Sequence, residues 1–283
     1  MKKIEIKAAD GYALSALYTT PVGTSCGSII LSSATGIRKE FYIHFTRYLV
    51  QNGYSVLLFD YRGAEGMGTT DPKAADAIMY DWGMLDMNAV LNYMVYERGQ
   101  KEIIWIGHSI GAQLTGFLRN THFVKKVIAV NAAVGYREFL PFFRRIMTWT
   151  FCYLFSPFRF AIYGYGSLKK EDFGKYLPRK VLLEWRQWCK SKNYYQQFLA
   201  EHFNMDKFYS FKTPVISVYT SDDYMANEKT ARLMLSFFPN APSRLIKLQV
   251  ERYTTHKVGH AGIFSKKFHR DLWAELIEII EFS

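Results

Sequence analysis

The sequence predicts an α/β fold: a mostly parallel, twisted sheet with helices on both faces. Short apolar runs suited to buried strands alternate along the chain with segments of helical periodicity. Two short alternating runs flank Asp10-Gly11, a dipeptide typical of hairpin turns. The 283 residues are 49% apolar and 22% charged, which allows a large core and excludes disorder, collagen and coiled coil.

The predicted elements follow one another in a regular order. Residues 28–32 form a compact apolar run that favours a buried strand, and Glu40 to Asn52 has apolar residues at helical spacing before a stop at Asn52-Gly53. Alternation of this kind implies a parallel sheet with right-handed crossovers. The other predicted strands are 3–8, 12–18, 54–59, 102–106, 127–130, 215–219 and 245–250, and the other helices are 81–98, a segment after His108, 228–237 and 266–281.

Residues 136–205 differ in composition from the rest of the chain. They hold 20 of the 48 aromatic residues and twelve Lys/Arg against five Asp/Glu, so they carry +7 of the net charge of +11. We interpret them as an inserted module whose aromatic residues form a small helical core, a hydrophobic substrate pocket or a membrane-facing surface. A stacking groove for single-stranded nucleic acid is disfavoured because no RNP, KH or zinc-finger pattern accompanies the aromatics.

Cysteine usage and the N-terminus bear on location. Cys26, Cys152 and Cys189 are far apart and form no metal-ligand pattern, which favours a reducing compartment without structural zinc. The first ten residues lack the apolar core of a secretory signal, and the apolar run 146–155 is too short to span a bilayer. We expect a cytoplasmic protein, with peripheral contact to an anionic membrane left open.

A sharp strand-to-helix turn is predicted at residues 103–111, which read Ile-Ile-Trp-Ile-Gly-His-Ser-Ile-Gly. A buried strand runs directly into G-x-S-x-G, and a helix begins immediately afterwards. The two glycines permit a strained turn with a serine hydroxyl exposed at its apex. This context predicts Ser109 as a nucleophile rather than part of an ordinary Gly/Ser turn, with His108 as a neighbour in the turn.

An activated serine also needs an acid. The carboxylate holds the histidine base in the correct tautomer, and in this architecture the order along the chain is serine, acid, histidine. Asp222 and Asp223 follow the predicted strand 215–219, where its carboxyl end opens onto the site. The residues themselves leave both aspartates open.

The base is predicted at His260. It lies before the last predicted helix, and Gly259 and Ala261 on either side give it backbone freedom and clearance. His256 is the alternative, and we expect both His256 and His269 at the surface.

Taken together, these motifs resemble the α/β-hydrolases. The chain is similar to the serine-aminopeptidase and monoacylglycerol-lipase-like branch, and most similar to bacterial hydrolases of unassigned substrate. The resemblance covers nearly the whole chain and implies the α/β-hydrolase fold. It rests on Asp10-Gly11, Ser33-Ala-Thr-Gly36, Phe59-Asp-Tyr-Arg-Gly63, Trp82 with Asp86, Gly107-His-Ser-Ile-Gly111, Ser221-Asp-Asp223 and Gly259-His-Ala-Gly262.

The resemblance implies which aspartate is the acid and how the chain divides. The family's acid lies three residues after a glycine that follows its strand. Thr220 occupies that glycine's place, which points to Asp223. The family also inserts a lid between its sixth and seventh core strands. The implied division is a hydrolase core at 1–134 and 206–283 and a lid or cap at 135–205.

The oxyanion hole needs two N–H donors directed at the developing negative charge. One is expected from Ile110, directly after the nucleophile, and the other from the loop after strand 28–32. Many relatives carry His-Gly in that loop where this chain has Ser33-Ala34, so the resemblance implies Thr35 as the second donor. Four other residues that match the family are expected to brace loops and helix ends: Asp60, Arg62, Trp82 and Asp86.

The expected function is a serine hydrolase acting on an ester, thioester or related acyl bond of a hydrophobic small molecule. This chemistry requires no metal or organic cofactor, and the glycine-rich residues 60–68 lack the spacing of a P-loop or of GxGxxG. The alternatives are an acyltransferase or peptidase on the same triad, or a non-catalytic binding protein that uses the basic aromatic insert.

Overall fold

The computed structural model describes residues 1–64, 76–150, 153–154, 177–196, 206–269 and 272–282. Part of the glycine-rich stretch, Cys152 and much of the predicted insert lie outside these residues. The described chain forms an eight-stranded sheet of order β1-β2-β4-β3-β5-β6-β7-β8. Its strands are β1 (Lys2–Lys7), β2 (Ala13–Thr19), β3 (Gly27–Ser32), β4 (Tyr54–Phe59), β5 (Ile103–His108), β6 (Val124–Val130), β7 (Val215–Thr220) and β8 (Ser243–Leu248).

The sheet is antiparallel at one end and parallel through the rest. β1 pairs with β2 and β2 with β4 in antiparallel register, whereas every pairing from β4 through β3 to β8 is parallel. All six residues of β4, β5 and β7 are buried, as expected for strands covered on both faces. The predicted fold class, an α/β fold with a mostly parallel sheet, is therefore confirmed.

Helices cover both faces of this sheet. Phe45, Phe264 and Trp273 belong to the core on one face, whereas Val90 and Leu114 belong to the core on the other. The helical segment 79–97 includes two wider π-type stretches, Trp82–Met87 and Tyr93–Glu97. The other described helices are Ile43–Gln51, Ile110–Gln113, Phe142–Thr150, Arg179–Trp188, Asp206–Tyr209, Glu228–Leu235, Gly259–Gly262 and Leu272–Phe282.

Two element boundaries near the C-terminus differ from the sequence expectation. β8 ends at Leu248, not at Val250, because Val250 begins a tight 3₁₀ turn that buries its side chain without extending the strand. The last helix begins at Leu272, and residues 266–268 form a separate 3₁₀ turn. Apolar character alone marks a residue as buried and does not specify the backbone that buries it.

The predicted insert is described in two main parts, residues 136–150 and 177–196. Both contain helices, and Trp188 and Tyr195 are among the large side chains that are fully buried. Within the described ranges, no helix is long and apolar enough to cross a bilayer.

Candidate active site

A strained turn presents Ser109 at the carboxyl end of β5. The strand ends at His108 and a helix begins at Ile110, which leaves Ser109 alone between them with φ 53° and ψ −116°. A non-glycine residue in such a region costs about 1–3 kcal/mol, so the surrounding packing must enforce the conformation.

The glycines on either side explain how the turn closes. A Cβ on Gly107 would lie 2.4 Å from the backbone nitrogen of Ala112, and one on Gly111 would lie 2.6 Å from the carbonyl oxygen of Ser32. Both distances are too short for any side chain, and both opposing atoms belong to the backbone. The two glycines of G-x-S-x-G are therefore required by contact between β5, the following helix and β3.

Three side chains from separate parts of the chain meet at this turn. His260 Nε2 lies 3.1 Å from Ser109 Oγ, and His260 Nδ1 lies 2.7 Å from Asp223 Oδ2. A carboxylate can only accept, so Nδ1 carries the proton and Nε2 accepts from the serine hydroxyl. The Asp223 side chain is fully buried, and its other oxygen accepts from the Met225 N–H at 2.8 Å. The Asp223 carboxylate is thus held from both sides and shielded from water.

The neighbouring Asp222 contacts backbone instead of the histidine ring. Its carboxylate accepts from the N–H of Val258 at 2.7 Å and from that of Gly259 at 2.9 and 3.0 Å. Gly259 has φ 61°, which a glycine adopts without strain. Asp222 therefore anchors the turn that carries His260, a positioning contact that the sequence analysis did not predict.

Asn131 is a second residue that the sequence analysis missed. It follows β6 with φ 47°, and its side-chain amide donates to the His260 carbonyl at 2.8 Å. Its Oδ1 accepts from the N–H of Thr220 at 2.9 Å. Asparagine tolerates the left-handed region better than most residues, and its position directly after a buried strand was the one available signal.

The expected oxyanion donors follow two neighbouring parallel strands, β5 and β3, at the same end of the sheet. Ile110 occupies the first turn of Ile110–Gln113, where a backbone N–H has no partner within the helix. Thr35 is half-buried in the loop after β3, within a turn closed by the Ile37 N–H donating to the Ala34 carbonyl at 3.1 Å.

Among the described residues, the other three histidines of interest contact groups other than Ser109 Oγ. His256 is exposed, and the ring of half-buried His269 lies 5.9 Å from that of Trp273. His108 is fully buried, and its ring nitrogens contact Tyr42 and the backbone carbonyl of His260.

Arg62 braces the elements around the site. It donates to Asp86 through its backbone N–H at 2.9 Å and through Nε at 2.7 Å, and Nη1 donates to Asp10 at 2.8 Å. The Trp82 indole donates to the Arg62 carbonyl at 3.1 Å. These contacts join the N-terminal hairpin, the loop after β4 and the helical segment 79–97.

Asp60, at the end of β4, makes a second bracing contact. Its carboxylate pairs with the Lys39 ammonium and accepts from the Lys39 backbone N–H at 2.7 Å. The pair thereby fixes the start of the helical turns that precede Ile43–Gln51.

Comparison with known families agrees with this architecture. The family model described as serine aminopeptidase, S33, matches residues 23–258. The chain belongs to the serine aminopeptidase S33 family. The S33 match includes Ser109 and Asp223 and ends two residues before His260, whose place beside the serine rests on the geometry above. No curated protein matches this S33 chain by sequence.

Solved structures share the fold of this S33 chain at low sequence identity. A soluble variant of monoglyceride lipase from Saccharomyces cerevisiae, in complex with a substrate analogue, has a TM-score of 0.65 at 14% identity and covers 99% of this chain and 96% of its own. A thermophilic esterase from Thermogutta terrifontis scores 0.57 at 12% identity, covering 99% and 98%. Est816, described as an N-acyl homoserine lactone degrading enzyme, scores 0.58 at 16% identity, covering 98% of each chain.

Proposed function

We propose that the protein is a serine hydrolase that cleaves an ester, thioester or related acyl bond through an acyl-enzyme. The observation that carries this proposal is the pair of contacts from His260 to Ser109 Oγ at 3.1 Å and to Asp223 at 2.7 Å, made beside a strained strand-to-helix turn. A serine hydroxyl is a weak nucleophile until a base so placed removes its proton. The fold is that of hydrolases that use this arrangement.

The mechanism follows from which atoms can donate and accept. Ser109 Oγ attacks the acyl carbon while His260 Nε2 takes its proton, and Asp223 stabilises the imidazolium. The negative oxygen of the tetrahedral intermediate accepts from the N–H groups of Ile110 and Thr35. Collapse expels the alcohol or thiol, which takes the proton from His260. Water, deprotonated by the same histidine, then attacks the acyl-serine. Collapse releases the acid, and His260 returns the proton to Ser109 Oγ.

We further propose that residues 135–205 form a lid over this site. Three contacts of the described parts support it. The Tyr195 hydroxyl donates to the Gln113 carbonyl at 3.1 Å, in the helix that follows the nucleophile. The Arg144 guanidinium lies 4.4 Å from the centre of the Tyr224 ring, next to the acid in sequence. Glu184 accepts from the Met79 N–H at 2.6 Å.

A hydrophobic acyl substrate is the proposed class. The insert is rich in aromatic residues, and two structural relatives are described as a monoglyceride lipase and as an enzyme degrading N-acyl homoserine lactones. Burying an acyl chain contributes about 0.8 kcal/mol per methylene, or roughly fourfold in affinity. We therefore expect kcat/KM to rise with acyl length over the first several carbons.

The test combines covalent labelling with a substrate series. Ser109→Ala should abolish fluorophosphonate labelling and hydrolysis of p-nitrophenyl esters. Ser236→Ala, which changes an exposed serine directly after helix Glu228–Leu235, should retain both. Undiminished labelling of Ser109→Ala would refute the nucleophile. A flat or falling kcat/KM from acetyl to longer esters would refute the hydrophobic acyl pocket and leave the nucleophile untouched.

We also propose that the insert rests on an anionic bilayer. Phe142 and Phe143, at the start of Phe142–Thr150, are 74% and 75% exposed, and Trp149 is 50% exposed. Trp149 stacks on Tyr153 at 5.6 Å, and two cations lie over that same ring: Arg186 at 5.1 Å and Lys190 at 5.4 Å. Exposed aromatic side chains bordered by basic ones are typical of surfaces that bind anionic lipid.

Vesicle flotation tests this surface. The protein should float with phosphatidylcholine vesicles containing phosphatidylglycerol and less with phosphatidylcholine alone. The double variant Phe142→Ser/Phe143→Ser should lose about tenfold or more in bound fraction, because each ring contributes about 1.5–3 kcal/mol when buried. Val22→Ser removes a fully exposed apolar side chain between β2 and β3 and should bind like the unsubstituted protein. Equal binding of the double variant would overturn the proposal.

A further inference from the structure

His108 is a buried titratable group that the proposed mechanism does not use. It is the last residue of β5, directly before Ser109, and its side chain is fully buried. Its Nδ1 lies 2.7 Å from the Tyr42 hydroxyl, and its Nε2 lies 2.9 Å from the backbone carbonyl oxygen of His260. Both ring nitrogens therefore have a partner.

These contacts define the direction of every hydrogen bond. The His260 carbonyl can only accept, so His108 Nε2 carries the proton and Nδ1 is an acceptor. The Tyr42 hydroxyl must then donate to Nδ1, while its oxygen accepts from the Ala34 N–H at 3.0 Å. The resulting chain runs from Ala34 through Tyr42 to His108, and from His108 to His260.

Burial keeps the side chains of His108 and Tyr42 in the neutral forms that the hydrogen-bonded chain requires. Loss of solvation, with a smaller contribution from the nearby His260, holds the pKa of His108 well below its ordinary value. Burial likewise raises the pKa of Tyr42 well above its ordinary value. The Phe264 ring packs 4.9 Å from His108 and 5.1 Å from Tyr42, which fixes the two rings against each other.

Three residues of this hydrogen-bonded chain adjoin or belong to the three parts of the proposed site. Ala34 precedes Thr35 in the oxyanion loop, His108 precedes the nucleophile, and the accepting carbonyl belongs to the base. That carbonyl also accepts from Asn131, so two donors hold it from the ends of β5 and β6. Displacements of about 1 Å in a site can cost about a hundredfold in rate.

We propose that Tyr42 and His108 are positioning residues that hold the oxyanion loop and the base in register with Ser109 through one hydrogen-bonded chain. The proposal rests on the proposed function, since it assigns these residues to the same site. Neither residue touches substrate. Their loss should lower kcat while leaving KM nearly unchanged, because substrate binding needs no exact register of Ser109, His260 and the oxyanion donors.

Amide replacements of His108 separate its two contacts. In His108→Gln the amide nitrogen takes the place of Nε2 and can still donate to the His260 carbonyl. In His108→Asn the amide takes the place of Nδ1, so it can meet Tyr42 but cannot reach His260. We expect kcat to fall about 10- to 100-fold in His108→Asn and Tyr42→Phe. The fall should be smaller in His108→Gln, which keeps the donor to the His260 carbonyl and loses only the acceptor for Tyr42. KM should stay within about threefold throughout. Tyr48→Phe removes a hydroxyl from the same helical region and should change neither constant.

Two results would overturn the proposal in the activity arm. One is full kcat in both Tyr42→Phe and His108→Asn. The other is an equal loss in His108→Gln and His108→Asn together with equal losses of thermal stability, which would indicate packing alone.

A spectroscopic arm is independent of turnover. In ¹⁵N-histidine-labelled protein, the His108 ring should show the neutral Nε2–H tautomer at pH ~5.5, about one unit below the ordinary histidine pKa. A protonated ring, or a proton on Nδ1, would refute the chain directly. If no Ser109-dependent turnover is found, the proposed function fails, while the tautomer still decides whether the hydrogen-bonded chain exists.

Discussion

The two adjacent aspartates, Asp222 and Asp223, provide the sharpest test of the site, because they make different contacts in the structure. One oxygen of Asp223 accepts a hydrogen bond from His260 Nδ1 at 2.7 Å, and its other oxygen accepts from the Met225 N–H at 2.8 Å. In Asp223→Asn, that N–H should select the amide oxygen as its acceptor and turn the NH₂ group toward His260. An NH₂ group donates, so the ring proton must move from Nδ1 to Nε2, which can then no longer accept from Ser109.

The magnitudes of the two substitutions differ widely. The same acid-to-amide exchange in a serine protease triad lowers kcat about 10⁴-fold. Because the Asp223 side chain is fully buried, water cannot compensate, and we expect a loss of that order. Asp222→Asn keeps one acceptor for the N–H groups of Val258 and Gly259. Its cost is about 1–3 kcal/mol of stability, with a fall in kcat/KM of about tenfold or less.

The assay is hydrolysis of a p-nitrophenyl ester, with the rate of fluorophosphonate labelling and the thermal midpoint measured on the same preparations. Asp223→Asn should lose turnover and labelling with little change in midpoint, and Asp222→Asn should show the opposite pattern. Greater catalytic damage in Asp222→Asn, or a loss of less than about tenfold in Asp223→Asn, would refute the assignment and the tautomer argument.

Two further predictions concern the scaffold. Gly111→Ala should destabilise the fold by about 1–3 kcal/mol in chemical denaturation, since its Cβ would lie 2.6 Å from Ser32 atoms. Gly27→Ala, at the start of β3, meets nothing closer than 3.4 Å and should be tolerated, and equal stability of the two variants would contradict the Gly111 contact. Burial raises the pKa of Glu184 to about 7, so the folded protein binds a proton at this carboxyl group more tightly than the unfolded chain does. The contribution of Glu184 to stability therefore falls as pH rises from about 4.5 to about 7. Glu184→Gln should therefore flatten the dependence of the thermal midpoint on pH over that range, and an unchanged slope would refute it.

Local steric and hydrophobic requirements made much of the fold predictable from sequence. Buried parallel strands need apolar runs on both faces, so β3, β4, β5 and β7 are visible as such runs. The turn at Ser109 is visible because close backbone contacts exclude a Cβ at Gly107 and Gly111, which leaves glycine in both places. These signals arise within a few residues of chain, and a sequence displays them directly.

Contacts between distant segments were decided only by the tertiary structure. Asp222 and Asp223 are adjacent and chemically identical, and they differ only in their contacts. Asp223 faces the ring of His260, whereas Asp222 faces the backbone of the turn that precedes His260. The contact of His108 with Tyr42 likewise joins residues 66 positions apart. The sequence by itself determined the elements and the order of the candidate residues. The tertiary structure decided their partners, because donors and acceptors far apart in the chain pair only after the sheet has assembled.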